Sequence, residues 1–187
     1  QGDGLKLAEQ VGANVINLDD IQLHPGGTPK TGIMSSWPSG RNRIFLTPQG
    51  DRFVNEDAAR DTLCKAVFKE GGKYWIVSNH VKYPTLDYQS KNLTIGEMIK
   101  LGQAFSGNTI EELAQKTGMD PKKLRASIDT YNDVVTGKIK EDNLGFKKFT
   151  QDDKPMTEGP FYATPMVPAV HHTMGGIQIN SAAQVLD

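Results

Sequence analysis

The segment DPKKLRASIDTYNDVVTG, residues 120–137, constrains the fold more than any other part of the sequence. It begins with Asp120 and Pro121, and an acidic cap followed by proline is typical of the start of a helix. Apolar residues then recur every three or four positions, which places them on one helix face: Leu124, Ile128, Tyr131 and Val135. A long helix with one apolar face has to bury that face, so the chain must also supply a core for it to pack on.

Strand-like segments predict what this helix packs on. The segment RIFLTPQGDRFVNE, residues 43–56, predicts a hairpin, because two strand-like runs flank a Pro-Gln-Gly-Asp turn. Further short or extended strands are predicted at residues 14–18, 73–79, 161–170, 176–180 and 183–187, the last two as a pair.

Further helices are predicted at residues 3–11, 57–70, 93–102 and 109–117, with Asp3, Thr94 and Thr109 as N-caps. Residues 20–40 are rich in Gly, Pro and Ser, and residues 138–159 are polar and charged, so both segments are predicted to be loops. The predicted fold class is α+β.

The composition excludes several classes of protein. A net charge of -1 and a pI near 6.5 do not suit a nucleic-acid-binding surface. The sequence has no run of about 18 apolar residues, so no membrane span is predicted. The single cysteine, Cys64, excludes an internal disulfide and is predicted to be a buried small residue. The chain begins at Gln1 without an initiator methionine, which we interpret as a piece of a longer polypeptide. The compartment is left open between the cytoplasm and the periplasm or cell surface.

Two segments in the first half contain residues suited to binding or catalysis. His24 follows a strand-like run in IQLHP, where a lone histidine is more often a surface or capping residue. Arg60 lies at the start of a predicted helix in GDRFVNEDAARD, next to Asp61. The simplest alternative for Arg60 is a surface ion pair with Glu56, which would contribute about 0.3–0.5 kcal/mol.

Two further segments lie near the ends of the chain. GDG, residues 2–4, precedes a helix, although such turns are common. In HHTMGG, residues 171–176, the glycines either form a turn or allow a planar ligand to approach the backbone. Adjacent histidines are poorly spaced for a metal and no clustered cysteines or carboxylates accompany them, so no metal site is predicted. The sequence contains no Walker A motif, no GxGxxG motif and no nucleophile elbow.

The order and spacing of these four segments resemble one family. GDGLKLAEQVGA, IQLHP, GDRFVNEDAARD and HHTMGG together are similar to the soluble fumarate reductases, which are FAD-dependent flavoproteins related to flavocytochrome c and to urocanate and acrylate-type reductases. The resemblance extends from Gly2 to Asp187. In that family a mobile capping domain is inserted between two segments of an FAD-binding domain, and the substrate lies between cap and flavin.

The resemblance implies a division of the chain. Residues 20–171 would form the capping domain, residues 1–19 a remnant of the FAD-binding domain, and residues 172–187 the start of its second segment. The rest of the FAD-binding domain, with the dinucleotide fingerprint and a substrate-binding arginine, would belong to the same polypeptide outside this chain. The chain alone is therefore not expected to retain FAD.

The resemblance also implies a chemistry, the reduction of a carbon–carbon double bond conjugated to a carboxylate. Reduced flavin delivers a hydride to one carbon, and a protein acid, matched here by Arg60, protonates the other. Because an arginine side chain is ordinarily protonated, it can act only if a relay restores its proton at once. His24 and His172 would hold the substrate carboxylate and polarise the double bond. The residues along FAD would be Gly2, Asp3, Met174, Gly175 and Gly176, while His171 would point into packing.

The sequence departs from the fumarate reductases at Ser35 and Ser36. Those enzymes have a Thr-Glu pair in this place, followed by an arginine, and the glutamate and that arginine relay protons to the catalytic arginine. Here the two serines would contact the substrate, the relay carboxylate is lost, and Arg41 or Arg43 is a candidate to replace the arginine. We therefore expect a substrate other than fumarate, and Trp37 favours an aromatic or other monocarboxylate enoate.

Two alternatives remain from the sequence. A flavin dehydrogenase of the same fold, for example a ketosteroid-type enzyme, would usually have a tyrosine at the acid position, and Arg60 argues against it. The other alternative is a stand-alone binding module that uses the cap fold without flavin. Neither the electron donor nor the oligomeric state is indicated.

Overall fold

The structure is a mixture of helices and strands, as the sequence predicts. The computed structural model describes residues 2–30, 41–90, 93–148 and 150–187. The helices are α1 (Asp3–Gln10), α2 (Arg60–Lys69), α3 (Ile95–Lys100), α4 (Ile110–Thr117) and α5 (Pro121–Val135). The strands are β1 (Val15–Ile16), β2 (Ile21–Gly27), β3 (Ile44–Leu46), β4 (Tyr74–Asn79), β5 (Gln89–Ser90), β6 (Leu93–Thr94), β7 (Phe105–Gly107), β8 (Phe161–Thr173) and β9 (Gly176–Ile177).

The largest sheet has the strand order β2-β8-β4-β3, and β7 also pairs with β8. β4 runs antiparallel to both of its neighbours, so that Ile76 lies opposite Phe45 on one side and Thr164 on the other. β1 pairs with β9 and β5 with β6 in separate two-stranded sheets. None of the helices in the described ranges is both long and apolar enough to cross a membrane.

The side chains of β3 alternate between the two faces of the large sheet, and each face carries a helix. Ile44 and Leu46 pack with the predicted apolar face of α5, namely Leu124, Ile128, Tyr131 and Val135. Phe45 points the other way, into a cluster that contains Leu63 and Val67 of α2. Apolar burial on both faces therefore fixes α2, and with it the start of that helix, on the face opposite α5.

The chain divides into two compact units. The larger unit is His24–Ala169, and the smaller unit combines Gln1–Leu23 with Val170–Asp187. The boundary therefore falls inside β2 and inside β8. The assignment of residues 1–19, 20–171 and 172–187 to a cap and to parts of an FAD-binding domain stays a prediction.

The prediction of a loop over residues 20–40 is wrong for its first part, because residues 21–27 form β2. The Pro and Gly residues of this segment favour a loop, but pairing with β8 holds it as a strand. Pro25 is tolerated since β2 lies at the edge of the sheet, where a strand does not need every N–H for pairing.

Three smaller predictions are also corrected. Asp3 is the first helical residue of α1 and Gly2, with a φ of 85°, is its cap. The second run of the predicted hairpin is reduced to a single bridge between Leu46 and Arg52, because β3 pairs with β4 instead. Likewise, β9 pairs with β1, and the predicted final strand pair is reduced to one bridge.

Candidate functional site

His24 is a buried residue of β2, with 3% of its surface exposed. Its Nδ1 accepts a hydrogen bond from the backbone N–H of Gly26 at 2.9 Å. Because Nδ1 is the acceptor, a neutral His24 carries its proton on Nε2. The alternative of a surface histidine at a strand end is wrong, since β2 continues beyond His24 to Gly27.

Arg60 is the first residue of α2 and is exposed. The preceding residue, Ala59, occupies the N-cap position and makes no side-chain capping hydrogen bond. A cation at this end of a helix is electrostatically unfavourable, because the first turn carries a partial positive charge. Asp61 in the same turn offsets part of that cost. The first turn of α2 therefore combines an unfavourable cation with a favourable acid.

The segment that leads into Arg60 is held by buried ion pairs. Both carboxylate oxygens of Glu56 accept hydrogen bonds from Arg52, from Nε at 3.0 Å and from Nη2 at 2.6 Å. One of these oxygens also accepts the backbone N–H of Phe45 at 2.9 Å. Arg52 pairs in addition with Asp142, from the loop after α5. Among the described salt bridges, the partner of Glu56 is Arg52, whereas the alternative considered from the sequence paired Glu56 with Arg60.

The next residue along this segment, Asp57, is bound by Arg41. Arg41 also donates two parallel hydrogen bonds to Asp153, from Nε at 2.6 Å and from Nη2 at 2.7 Å. Burial lowers the pKa of the Arg41 guanidinium, but the hydrogen bonds to both carboxylates outweigh burial and leave its pKa above the ordinary value. Arg41 is therefore held in its charged form as a structural residue, which does not suit the predicted role in a proton relay.

Arg43, the other relay candidate, has a different environment. It is 9% exposed, and its guanidinium carbon lies 5.2 Å from the centroid of the Phe45 ring. Burial lowers the pKa of Arg43, and the nearby charges that raise it do not compensate. The ammonium group of Lys82 lies in the same region, where it donates to the backbone carbonyl of Arg41 at 2.8 Å.

The predicted cofactor and substrate residues near the end of the chain lie in the smaller unit. His172 is exposed, and its Nδ1 lies 2.9 Å from the carbonyl oxygen of Thr173. His171 is exposed as well and bonds to Gln22 through Nδ1 at 2.8 Å, so the prediction that it points into packing is wrong. The side chain of Met174 is 53% exposed.

The two glycines that follow Met174 differ in their surroundings. A Cβ on Gly175 would lie 2.5 Å from the carbonyl oxygen of Asn17, so close backbone packing requires glycine there. A Cβ on Gly176 would meet nothing within 4 Å, and the same holds for Gly2 at the start of α1. Only Gly175 is therefore explained by contacts within the smaller unit, while the other two positions leave open space.

The structure places His24 and Arg60 in the larger unit and Gly2, Asp3 and residues 171–176 in the smaller one. Ser35, Ser36 and Trp37 lie outside the described residues, and the roles predicted for all these residues stay predictions. The described ranges contain no group of three or more His, Cys, Asp or Glu side chains suited to a metal ion. Sequence reasoning missed Asp142 and Asp153, whose only sequence signal is their charge within a polar loop.

Comparison with known proteins shows which family the chain is similar to. Residues 1–187 match the family described as FAD binding domain. The chain is 35% identical over 191 residues to the NADH:acrylate oxidoreductase of Vibrio harveyi, an alignment that covers 99% of this chain and 18% of the relative. The open conformation of a flavocytochrome c3 fumarate reductase is similar with a TM-score of 0.66 and 30% identity, covering 100% of this chain and 32% of that one.

A second solved structure shares the fold. The 3-ketosteroid delta1-dehydrogenase from Sterolibacterium denitrificans has a TM-score of 0.66 and 20% identity, covering 100% of this chain and 38% of that one. At this identity the likeness concerns the fold alone. The chain spans between 18% and 38% of the length of these three proteins.

Proposed function

The chain belongs to the family of FAD-binding domains, and on that premise we propose that it is part of an FAD-dependent oxidoreductase that reduces the double bond of an α,β-unsaturated carboxylate. The observation that carries the proposal is Arg60, an exposed arginine in the first turn of α2, at the position that the resemblance matches to the acid of the fumarate reductases. Relatives named as an acrylate oxidoreductase and a fumarate reductase support this substrate class.

The larger unit is proposed to be the capping domain, and the smaller unit a part of the FAD-binding domain of a longer polypeptide. The smaller unit exposes many large apolar side chains: Leu7, Val11, Leu18, Ile21, Val170, Met174, Ile179 and Val185. Its helix α1 buries no residue at all. An apolar surface of this kind is usually covered by further protein, which supports an origin in a larger domain.

The smaller unit offers surroundings that fit FAD. Gly2, Gly4 and Gly176 each have open space where a side chain would start, so a planar ring or a pyrophosphate can approach the backbone there. Met174, two residues before Gly176 along the chain, presents an exposed thioether side chain. When bound, FAD would supply a hydride to one carbon of the double bond.

The larger unit would supply the groups that bind and protonate the substrate. His24 would help to hold the substrate carboxylate, as the resemblance implies. The guanidinium of Arg60 would donate a proton to the second carbon. His172 would add a donor from the smaller unit, and Ser35 and Ser36 would take the place of the Thr-Glu pair.

The proposal is tested with the full-length polypeptide that contains this chain. Its flavin is photoreduced without oxygen, and reoxidation is followed spectrophotometrically after addition of acrylate, cinnamate, urocanate or fumarate. We expect rapid reoxidation by at least one monocarboxylate enoate and a loss of at least about a hundredfold in rate for Arg60→Ala, as for other general acids.

The matched control is Arg125→Ala, because Arg125 is also an exposed arginine on a helix and pairs only with surface Glu111 among the described salt bridges. It should leave the reoxidation rate unchanged. If no enoate reoxidises the flavin, or if both arginine variants behave alike, the assigned role of Arg60 is refuted. Reoxidation by a steroid enone in place of an enoate would support the ketosteroid-type alternative.

A further inference from the structure

Asn55 lies in the segment that leads into Arg60, and its side chain joins two separate parts of the larger unit. Its Nδ2 donates a hydrogen bond to the carbonyl oxygen of Gly145, in the loop after α5, at 2.8 Å. Its Oδ1 accepts the backbone N–H of Asp57 at 3.0 Å. Both polar atoms of the amide are therefore bonded to backbone groups, one in the distant loop and one in the segment before α2.

The residues between Asn55 and α2 form a closed turn. The backbone carbonyl of Asn55 accepts the N–H of Ala58 at 3.0 Å. The helix then begins at Arg60, and the N–H of Leu63 donates to the carbonyl of Ala59 at 2.9 Å. Leu63 is buried in the apolar cluster that α2 forms with the sheet. The backbone at Arg60 is therefore held between Asn55 on one side and the buried Leu63 on the other.

The loop that accepts the Asn55 bond is itself closed by hydrogen bonds. The N–H of Asp142 donates to the carbonyl of Phe146 at 3.1 Å, and the Asp142 carboxylate accepts the N–H groups of Leu144 and Phe146 at 2.9 Å each. The N–H of Gly145 donates to the carbonyl of Asp142 at 3.1 Å, and the φ of Gly145 is 80°, which favours glycine. The Gly145 carbonyl is therefore a well-fixed acceptor for Asn55.

We propose that Asn55 is a positioning residue for Arg60, which it places through the backbone of the turn before α2. The inference rests on the proposed function, in which Arg60 protonates the substrate, and it adds the group that determines where this acid lies. A displacement of about 1 Å in a reacting group can slow a reaction by about a hundredfold. Glu56 and Asp57 reach the loop after α5 through long arginine side chains, whereas Asn55 binds its backbone directly.

Two variants weaken this bond from opposite sides. Asn55→Asp keeps an oxygen that accepts from Asp57 but replaces the donor to Gly145 by an oxygen, which repels the Gly145 carbonyl. Gly145→Ala leaves the Asn55 side chain unchanged and strains the backbone at the acceptor, because alanine disfavours a φ of 80°. The second variant keeps the test valid if the first does not fold.

The control is Asn132→Ala, which removes a comparable side chain at another place. Asn132 is also half-buried and also binds the backbone of a distant residue, donating to the Met156 carbonyl at 3.1 Å and accepting the Met156 N–H at 2.7 Å. A general loss of stability should therefore appear in this control as well. Its rate of flavin reoxidation should stay at the wild-type value.

The test uses the photoreduced full-length polypeptide and whichever of acrylate, cinnamate, urocanate and fumarate reoxidises the wild-type flavin fastest. For Asn55→Asp and Gly145→Ala we expect the maximal rate to fall at least about tenfold, while the enoate concentration for half of that rate changes by less than about twofold. The rate difference between H₂O and D₂O should increase in both variants, because proton transfer from a displaced Arg60 becomes the slower step.

The outcomes separate this inference from the proposed function. A wild-type rate in both variants, an equal loss in Asn132→Ala, or a slow rate without a larger solvent isotope effect would overturn the role of Asn55 and leave the proposed function intact. Arg60→Ala is measured in the same series. If it keeps the wild-type rate, the proposed function fails, and the positioning role of Asn55 fails with it.

Discussion

The guanidinium carbon of Arg52 lies 5.1 Å from the ring centroid of Phe146. Arg41 lies over the same ring at 5.6 Å, so one phenylalanine supports both arginines. Each arginine joins the segment before α2 to the loop after α5. Arg52 binds Glu56 and Asp142, and Arg41 binds Asp57 and Asp153. This ionic cluster determines how the chain enters α2.

Removal of one acid from this cluster should destabilise the fold. Asp142→Ala leaves Arg52 buried with one carboxylate fewer and also removes the acceptor for the backbone N–H groups of Leu144 and Phe146. We expect the free energy of unfolding to fall by about 3 kcal/mol in urea denaturation. The control is Asp133→Ala, which breaks the exposed pair with Lys138 and should cost less than about 1 kcal/mol. Equal losses in the two variants would contradict a special role for the cluster.

The two glycines after Met174 should respond differently to a methyl group. Gly175→Ala places a Cβ 2.5 Å from the carbonyl oxygen of Asn17, so β1 and β9 must separate. We expect a loss of about 1–3 kcal/mol and faster amide hydrogen exchange at Gln178, whose N–H donates to Asn14. Gly176→Ala should leave both quantities unchanged, since nothing lies within 4 Å of its added carbon. Faster exchange in both variants would argue against the packing explanation for Gly175.

The hydroxyl of Tyr74 should contribute to the placement of β2. It donates to the carbonyl of Pro25 at 2.8 Å, next to His24, and both partners are buried. Tyr74→Phe leaves that carbonyl without this donor and should cost about 1–3 kcal/mol. Tyr88→Phe is a suitable control because Tyr88 is 48% exposed. A Tyr74→Phe variant as stable as the control would show that β2 does not depend on this bond.

Lys82 should make stability depend on pH in the mildly alkaline range. Burial, assisted by the charge of Arg43, lowers its pKa to about 8 from the ordinary 10.5. The unfolded chain therefore binds more protons between these values, and stability rises as the pH increases through 8, by about 1 kcal/mol at pH 9. The raised pKa of Cys64, about 11, has the opposite effect above its ordinary value of 9.0.

The measurement for this prediction is urea denaturation at pH 7, 8 and 9, where Cys64 offsets the rise by less than about 0.5 kcal/mol at the highest pH. Lys82→Met should abolish the rise between pH 7 and 9, while Lys65→Met, on an exposed position of α2, should retain it. A flat profile in the wild type would show that Lys82 titrates at an ordinary pKa.

The elements predicted correctly from the sequence are those determined by neighbouring residues. α5 has its cap, its proline and its apolar face within one segment, and the Asp120 carboxylate indeed accepts the N–H groups of Lys122 and Lys123. Thr94 and Glu97 form the full capping box of α3 for the same reason. Such patterns need no knowledge of the rest of the chain.

The elements that were missed depend on distant partners. β2 exists because β8, far along the chain, pairs with it, whereas its own Pro and Gly residues favour a loop. Asp142 and Asp153 are buried because they pair with Arg52 and Arg41. Nothing in the sequence of their own loop indicates these distant partners. For the candidate site, the sequence proposes His24 and Arg60, and their roles stay predictions. It did not indicate that His24 is buried or that the residue before Arg60 makes no side-chain capping bond.

Under the proposed function, the weak start of α2 is a position where stability and turnover compete. Ala59→Asp would introduce a side chain able to cap the first turn and should raise the free energy of unfolding by about 1 kcal/mol. The same carboxylate would stand beside the Arg60 guanidinium and, under the proposed function, compete with an anionic substrate for it. Under the proposed function, the alanine before Arg60 lowers the stability of α2 but keeps a competing carboxylate away from the substrate.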